Sequence, residues 1–190
     1  MEHFLQTAGL VFLAELGDKT QILTVALTKK YKTREVIIAI SLATLILHFF
    51  SVYLGEYIGN LLPPKILNII VGLTIIIFGV IFLGEFNEDR IVIDEQKSKF
   101  NPILQCALIF FLAELADKTM FTTIGLASRF HDYGAVFWGS SVGLILADVM
   151  AIIVFTYLGQ FMPAKLTKIL ASFVFVGFGL FTIYSCFKIN

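Results

Sequence analysis

Six apolar runs, at roughly 4–27, 35–58, 66–84, 102–126, 135–159 and 166–187, are each long enough to cross a bilayer, which takes about 17–25 residues as a helix. Polar or turn-forming stretches separate them: "TKKYKTRE", "GNLLPPK", "GEFNEDRIVIDEQKSKFNP", "SRFHDYG" and "GQFMPAK". Backbone N–H and C=O groups find no water in lipid, so such runs fold as helices. The apolar excess covers the whole chain, with 58% of residues hydrophobic and 15% charged. Soluble domains have about 45–50% and about 25%. The sequence therefore predicts an all-α integral membrane protein with six transmembrane helices in contact with lipid, and not a large soluble core.

The second half of the chain repeats the first. "FLAELGDKT" at Phe12–Thr20 returns as "FLAELADKT" at Phe111–Thr119. Tyr53-Leu54-Gly55 returns as Tyr157-Leu158-Gly159, Pro63 and Lys65 as Pro163 and Lys165, and Gly79 as Gly179. Each half holds three runs, and an odd number inverts the second copy relative to the first. Inverted-topology repeats are a plan of transporters, with the site where the repeats meet. The expected organisation is a first three-helix repeat over 1–84, a cytoplasmic linker over 85–101 and a second three-helix repeat over 102–190, integrated in one transmembrane domain.

Lys29, Lys30, Lys32, Arg34, Arg90, Lys97, Lys99, Lys165 and Lys168 fall on one side of such a topology, against Lys65, Arg129 and Lys188 on the other. The positive-inside rule makes the first side cytoplasmic and both termini extracytoplasmic. The N-terminus lacks the basic stretch of a signal peptide, so the first run is expected to persist as a helix. A bacterial inner membrane is the simplest location. The net charge of zero gives no reason to expect a nucleic-acid partner. Cys106 and Cys186 both lie in apolar runs, as small embedded residues and not a disulfide pair. Gly72, Gly79, Gly177 and Gly179 are expected to allow close helix contact, and Ser41 and Ser140 to hydrogen-bond between helices.

The repeated motif places acids where the flanking sequence is apolar. Glu15 and Asp18 are three residues apart, as are Glu114 and Asp117, so the helix expected over each run puts each pair on one face. A central charged residue costs about 2.5–3.5 kcal/mol, so four carboxylates with Lys19 and Lys118 facing lipid would cost on the order of 15 kcal/mol. They must face each other, water or an ion. If the two motifs meet, Glu15, Asp18, Glu114 and Asp117 converge with Thr20, Gln21 and Thr119 into an all-oxygen shell. Such a shell suits Ca²⁺, Mn²⁺ or Mg²⁺, and the absence of Cys and His from it argues against Zn²⁺ or Cu⁺. Close carboxylates resist joint ionisation, so they can trade protons for a cation. Four carboxylates and two charged lysines leave two negative charges, which one divalent cation or two protons neutralise. The competing structural reading pairs Glu15 with Lys19 and Glu114 with Lys118 as ordinary i, i+4 intrahelical ion pairs, which leaves both aspartates unexplained.

At these residues the sequence resembles the Gdt family, the transmembrane protein 165-like cation:proton antiporters, whose signature is E-x-G-D-K-T. The resemblance covers essentially the whole chain, and this chain is similar to the small bacterial members. It implies a secondary transporter for Mn²⁺ and Ca²⁺, and manganese export in bacteria. It also implies that Glu15, Asp18, Glu114 and Asp117 are the cation-binding acids. No permanently bound cofactor is expected. The chain departs from the signature at Ala116, where the first copy has Gly17.

His48 and Asp148 lie within the second and fifth runs at matching places. A titratable group in a span is a functional candidate, so both, like Lys19 and Lys118, are candidates for charge tuning or proton relay. The alternatives are that His48 bonds a backbone carbonyl and that Asp148 pairs with a motif lysine. No phosphate loop, nucleophile elbow or haem motif occurs, and the expectation is a transporter and not an enzyme. Two other functions compete: export of a different cationic substrate on a similar fold, and a non-transporting scaffold whose buried ion pairs fix helix pairing.

Overall fold

The computed structural model describes residues 1–84, 101–115, 117–158 and 164–188. The regular structure of these residues is helical: α1 (Glu2–Glu15), α2 (Lys19–Lys30), α3 (Thr33–Leu61), α4 (Pro64–Gly84), α5 (Pro102–Glu114), α6 (Lys118–Phe130), α7 (Tyr133–Leu158) and α8 (Ala164–Lys188). The predicted linker lies outside the described residues except for Asn101, whose side chain accepts from Ile103 N–H and caps α5 ahead of Pro102. This is a standard helix start. Cys186 falls where no side chain is described.

The helices depart from the sequence reading at two places. The first and fourth apolar runs are not single helices. Each stops at its motif glutamate and restarts after the aspartate, as α1 and α2 and as α5 and α6. The two breaks are copies of each other. Leu16 and Leu115 are extended, at φ −61, ψ 116 and φ −64, ψ 124, and Asp18 and Asp117 are extended at φ −83, ψ 164 and φ −81, ψ 168. Asp18 N–H bonds Glu15 O, and Asp117 N–H bonds Glu114 O, both at 3.1 Å. The glutamate and aspartate of each motif therefore do not share one continuous helical face.

The long helices α3 and α7 carry the same inward pattern. From Val36 to Val52, nine buried positions of α3 each have a buried counterpart one hundred residues on in α7, including His48 with Asp148. Thr33–Leu61 and Tyr133–Thr156 are long and apolar enough to cross a membrane. Their outward faces carry large exposed apolar groups such as Leu42, Phe49, Tyr53, Trp138 and Leu146. Water-soluble monomers rarely expose contiguous patches of this kind.

Packing follows the same exchange between halves. α4 lies along α8, α1 along α7, and α3 contacts α5, α6 and α7. At the α4–α8 crossing, a Cβ on Gly72 would stand 2.9 Å from Gly179 O, and one on Gly179 would stand 2.7 Å from Gly72 O. Only glycine admits that approach. Gly79 is also tightly packed, and Ser172 Oγ donates to its carbonyl. Gly177 faces open space and has no such role. Ser41 and Ser140 also differ from expectation: each bonds a carbonyl of its own helix, Ile37 O and Val136 O, so neither hydroxyl joins two helices through these bonds.

Candidate metal site at the paired helix breaks

The ends of α1 and α5 and the starts of α2 and α6 bring both motifs together. One carboxylate oxygen from each of Glu15, Glu114 and Asp117 lies within 4.8 Å of the others. Oxygens on opposite sides of a Ca²⁺ ion stand about 4.6–5.2 Å apart, given ligand distances of 2.3–2.6 Å. Three carboxylates from both halves are thus near enough to share one ion. Helix breaks leave backbone donors and acceptors without helical partners, so at membrane depth they occur where the chain is buried in protein or lines a water-filled cavity.

The fourth acid, Asp18, is fixed by a lysine from the other half. Lys118 Nζ stands 2.7 Å from Asp18 Oδ1. Lys19 Nζ reaches Asp117 Oδ1 at 3.4 Å. The pairs cross between the halves and replace the intrahelical Glu15–Lys19 and Glu114–Lys118 pairs of the structural reading, which the helix breaks preclude. The two crossed pairs differ in environment. Lys118 and Asp18 are 8% and 4% exposed at their side chains, Lys19 and Asp117 54% and 13%. One flank of the cluster is sealed and the other is open.

Glu15 is the most tightly held acid. Thr20 Oγ1 donates to its Oε2 at 2.9 Å, and Thr119 Oγ1, from the opposite half, donates to its Oε1. If the halves were equivalent, Thr119 would serve Glu114. Its crossing to Glu15 leaves Glu114 Oε1 buried without a hydrogen-bond partner, as are Asp18 Oδ2 and Asp117 Oδ2. Buried acceptors are nearly always partnered, so three orphaned oxygens in one cluster point to a ligand supplied from outside the chain.

The other predicted residues fall into two groups. Gln21 is beside the cluster, but its Oε1 accepts from Gly17 N–H at 2.8 Å and its Nε2 donates to Ala147 O at 3.0 Å. Asp148 is fully buried in α7. It pairs with no motif lysine in the ion pairs found and instead accepts from Thr24 Oγ1 at 2.9 Å, its Oδ2 having no partner. His48 bonds the Ser141 hydroxyl at 3.2 Å and not a backbone carbonyl. Thr24 and Ser141 were not singled out in the sequence. The signal for Thr24 was the i, i+4 row Thr20, Thr24, Thr28, which one face of α2 must carry.

The family model described as "Divalent cation/proton antiporter GDT1" matches residues 3–90 and 102–189. A protein of Vibrio cholerae named "Putative manganese exporter" is 32% identical over 179 residues, covering 92% of this chain and 86% of its own. The GDT1-like protein sll0615 of Synechocystis is 26% identical, covering 85% and 86%. The chloroplastic Protein PAM71 of Arabidopsis thaliana is 26% identical, covering 92% of this chain and 54% of its own. No solved structure matches. The matched family is one of membrane transporters and not of enzymes. The chain belongs to the GDT1 family of divalent cation/proton antiporters.

Proposed function

We propose that this protein exports Mn²⁺ from the cytoplasm in exchange for protons, with Glu15, Asp18, Glu114 and Asp117 as the groups that bind and release the cation. The observation that carries this is the convergence of Glu15, Glu114 and Asp117 within 4.8 Å beside three orphaned carboxylate oxygens. Thr20 and Thr119 hold Glu15 in place for the ion. Lys19 and Lys118 offset part of the negative charge, so that one divalent cation or two protons complete the balance. The name of the Vibrio cholerae relative favours Mn²⁺ as the substrate; Ca²⁺ is the second candidate, since it takes the same hard oxygen ligands. Asp148, fully buried within reach of α2, is the candidate to pass protons, and His48 occupies the matching place in the other half.

In this reading the chain makes six crossings in two inverted halves, 1–84 and 102–190, joined by a cytoplasmic linker. α1 with α2 and α5 with α6 form two broken spans. The protein sits in a bacterial inner membrane with both termini outside, and the exposed apolar faces of α3 and α7 meet lipid. Motion of one half against the other exposes the cluster alternately to the two sides. The matching burial of α3 and α7 and the twin helix breaks support the repeat.

Liposomes loaded with a pH-sensitive dye test the reading. Added Mn²⁺ is expected to drive proton movement in the wild type, and Asp18→Asn and Asp117→Asn are expected to abolish it. Proton movement that survives both substitutions would remove these acids from the mechanism. Silence with Mn²⁺, Ca²⁺ and Mg²⁺ would shift the search to organic cations or to the scaffold.

A further inference from the structure

Gln21 stands in the ligand set by sequence, yet its amide is already engaged at both ends. Its oxygen accepts from Gly17 N–H at 2.8 Å, and its nitrogen donates to Ala147 O on α7 at 3.0 Å. Gly17 lies in the break between α1 and α2 with φ 75, a left-handed conformation that glycine adopts without steric cost. A peptide group at such a break has no helical partner for its N–H. Gln21 supplies that partner and ties it to the neighbouring half. One turn along, Thr24 Oγ1 bonds Asp148 Oδ1 at 2.9 Å, so α2 is fastened to α7 at two successive turns.

We infer that Gln21 is a positioning residue and not a cation ligand: it locks the peptide at Gly17 to α7 and so fixes where Glu15 and Asp18 point. The inference deepens the proposed antiport reading and rests on it for its functional consequence. Gly17 separates Glu15 from Asp18 by two residues on one side and one on the other. Rotation of its peptide plane swings both acids at once. The second copy of the motif differs in sequence. Met120 occupies the place of Gln21 and Ala116 that of Gly17, and a thioether has no N–H to donate to a carbonyl, so the side chain at 120 cannot donate as Gln21 Nε2 does to Ala147 O.

The test uses the full-length protein in vesicles and in detergent, comparing wild type with Gln21→Met, Gln21→Asn, Gln21→Glu, Gly17→Ala and the Gly17→Ala/Gln21→Met double variant. Amide hydrogen exchange of the peptide containing Gly17 is read first, because it does not depend on transport. Exchange is expected to quicken in Gln21→Met and in Gln21→Asn, whose amide is one methylene too short to span both partners. Losing an outer partner of this kind costs about 10–100-fold in metal affinity or activity, so Mn²⁺-driven flux should fall by that factor in both. Gln21→Glu, which keeps an acceptor and loses the donor, should fall with them. The double variant should be no worse than its more damaging single, because both act through one peptide group. Unchanged exchange at Gly17 in both Gln21→Met and Gln21→Asn overturns the inference. So does a Gln21→Glu variant that binds Mn²⁺ as tightly as wild type or tighter, or a double variant whose losses multiply. Absence of Mn²⁺-driven flux in the wild type would instead count against the antiport reading, and the exchange result would still decide the brace.

Discussion

Lys118 Nζ lies 2.7 Å from Asp18 Oδ1, although the two residues sit in opposite halves of the chain and each belongs to its own copy of one motif. The reciprocal pair, Lys19 with Asp117, is longer at 3.4 Å and half open to the outside. A pair that is sealed and a pair that is open make different demands on stability. Removing one partner of a buried pair costs about 3–5 kcal/mol, because a buried charge is left alone. An exposed pair is worth about 0–1 kcal/mol, and the Lys19–Asp117 pair lies between these cases, with Lys19 54% and Asp117 13% exposed. Lys118→Met should therefore lower the thermal unfolding temperature in detergent more than Lys19→Met does. Equal losses from the two substitutions would show that the sealed and open flanks are energetically alike.

Glu15 takes one threonine from each half, Thr20 and Thr119. A hydrogen bond to a charged group contributes about 1.5–3 kcal/mol. Thr119→Val should raise the Mn²⁺ concentration needed for half-maximal flux by about tenfold, since about 1.4 kcal/mol is one factor of ten. Thr119→Ser, which keeps the hydroxyl, should stay close to wild type. Concentration-dependent flux in proteoliposomes reads both. A Thr119→Val variant with unaltered half-saturation would detach this threonine from cation binding.

The α4–α8 crossing depends on Gly72 and Gly179, each too close to the other's carbonyl for a side chain. Gly72→Ala should destabilise by about 1–3 kcal/mol through overpacking. Gly177→Ala, facing open space, should instead stabilise by up to about 1 kcal/mol through helix propensity. Urea or thermal unfolding in detergent gives the sign of each change. The prediction fails if the signs agree.

In the proposed cycle, four carboxylates and two charged lysines are balanced by one divalent cation or by two protons, so one cation exchanges for two protons and no net charge moves. Imposing a potassium diffusion potential across the vesicle membrane should leave the initial rate of Mn²⁺-driven proton movement unchanged. Moving one elementary charge through 100 mV is worth about 2.3 kcal/mol. A net charge in the cycle would therefore appear as a steep dependence on the imposed potential, and such a dependence would overturn the exchange of one cation for two protons.

Much of the fold was legible in the sequence because helices declare themselves locally. Apolar length, Gly and Pro at the boundaries and the motif repeated near position 100 need no knowledge of neighbours. The helix breaks have only a weak local signature. Leu-Gly-Asp-Lys combines a residue that often ends a helix with one that often starts the next, but it sits inside an apolar run whose length argues for continuity. In the second copy Ala116 removes even the glycine signal, and the chain still breaks between Glu114 and Lys118. There the surroundings outweigh local propensity.

The sequence by itself determined that the chain is helical, that its apolar faces are extensive, and that four carboxylates and two lysines occur in two copies of one motif. These follow from side-chain transfer energies and hydrogen-bond requirements, which act residue by residue. Only the tertiary structure decided which charge meets which. A helical period predicts neighbours at three and four residues, so it offered Glu15 with Lys19 and Glu114 with Lys118. Packing the two halves together gave Lys118 to Asp18, Lys19 to Asp117, Thr119 to Glu15 and Gln21 to α7. Those partners stand about a hundred residues apart in the chain, and no local pattern encodes a contact that exists only once both halves are folded.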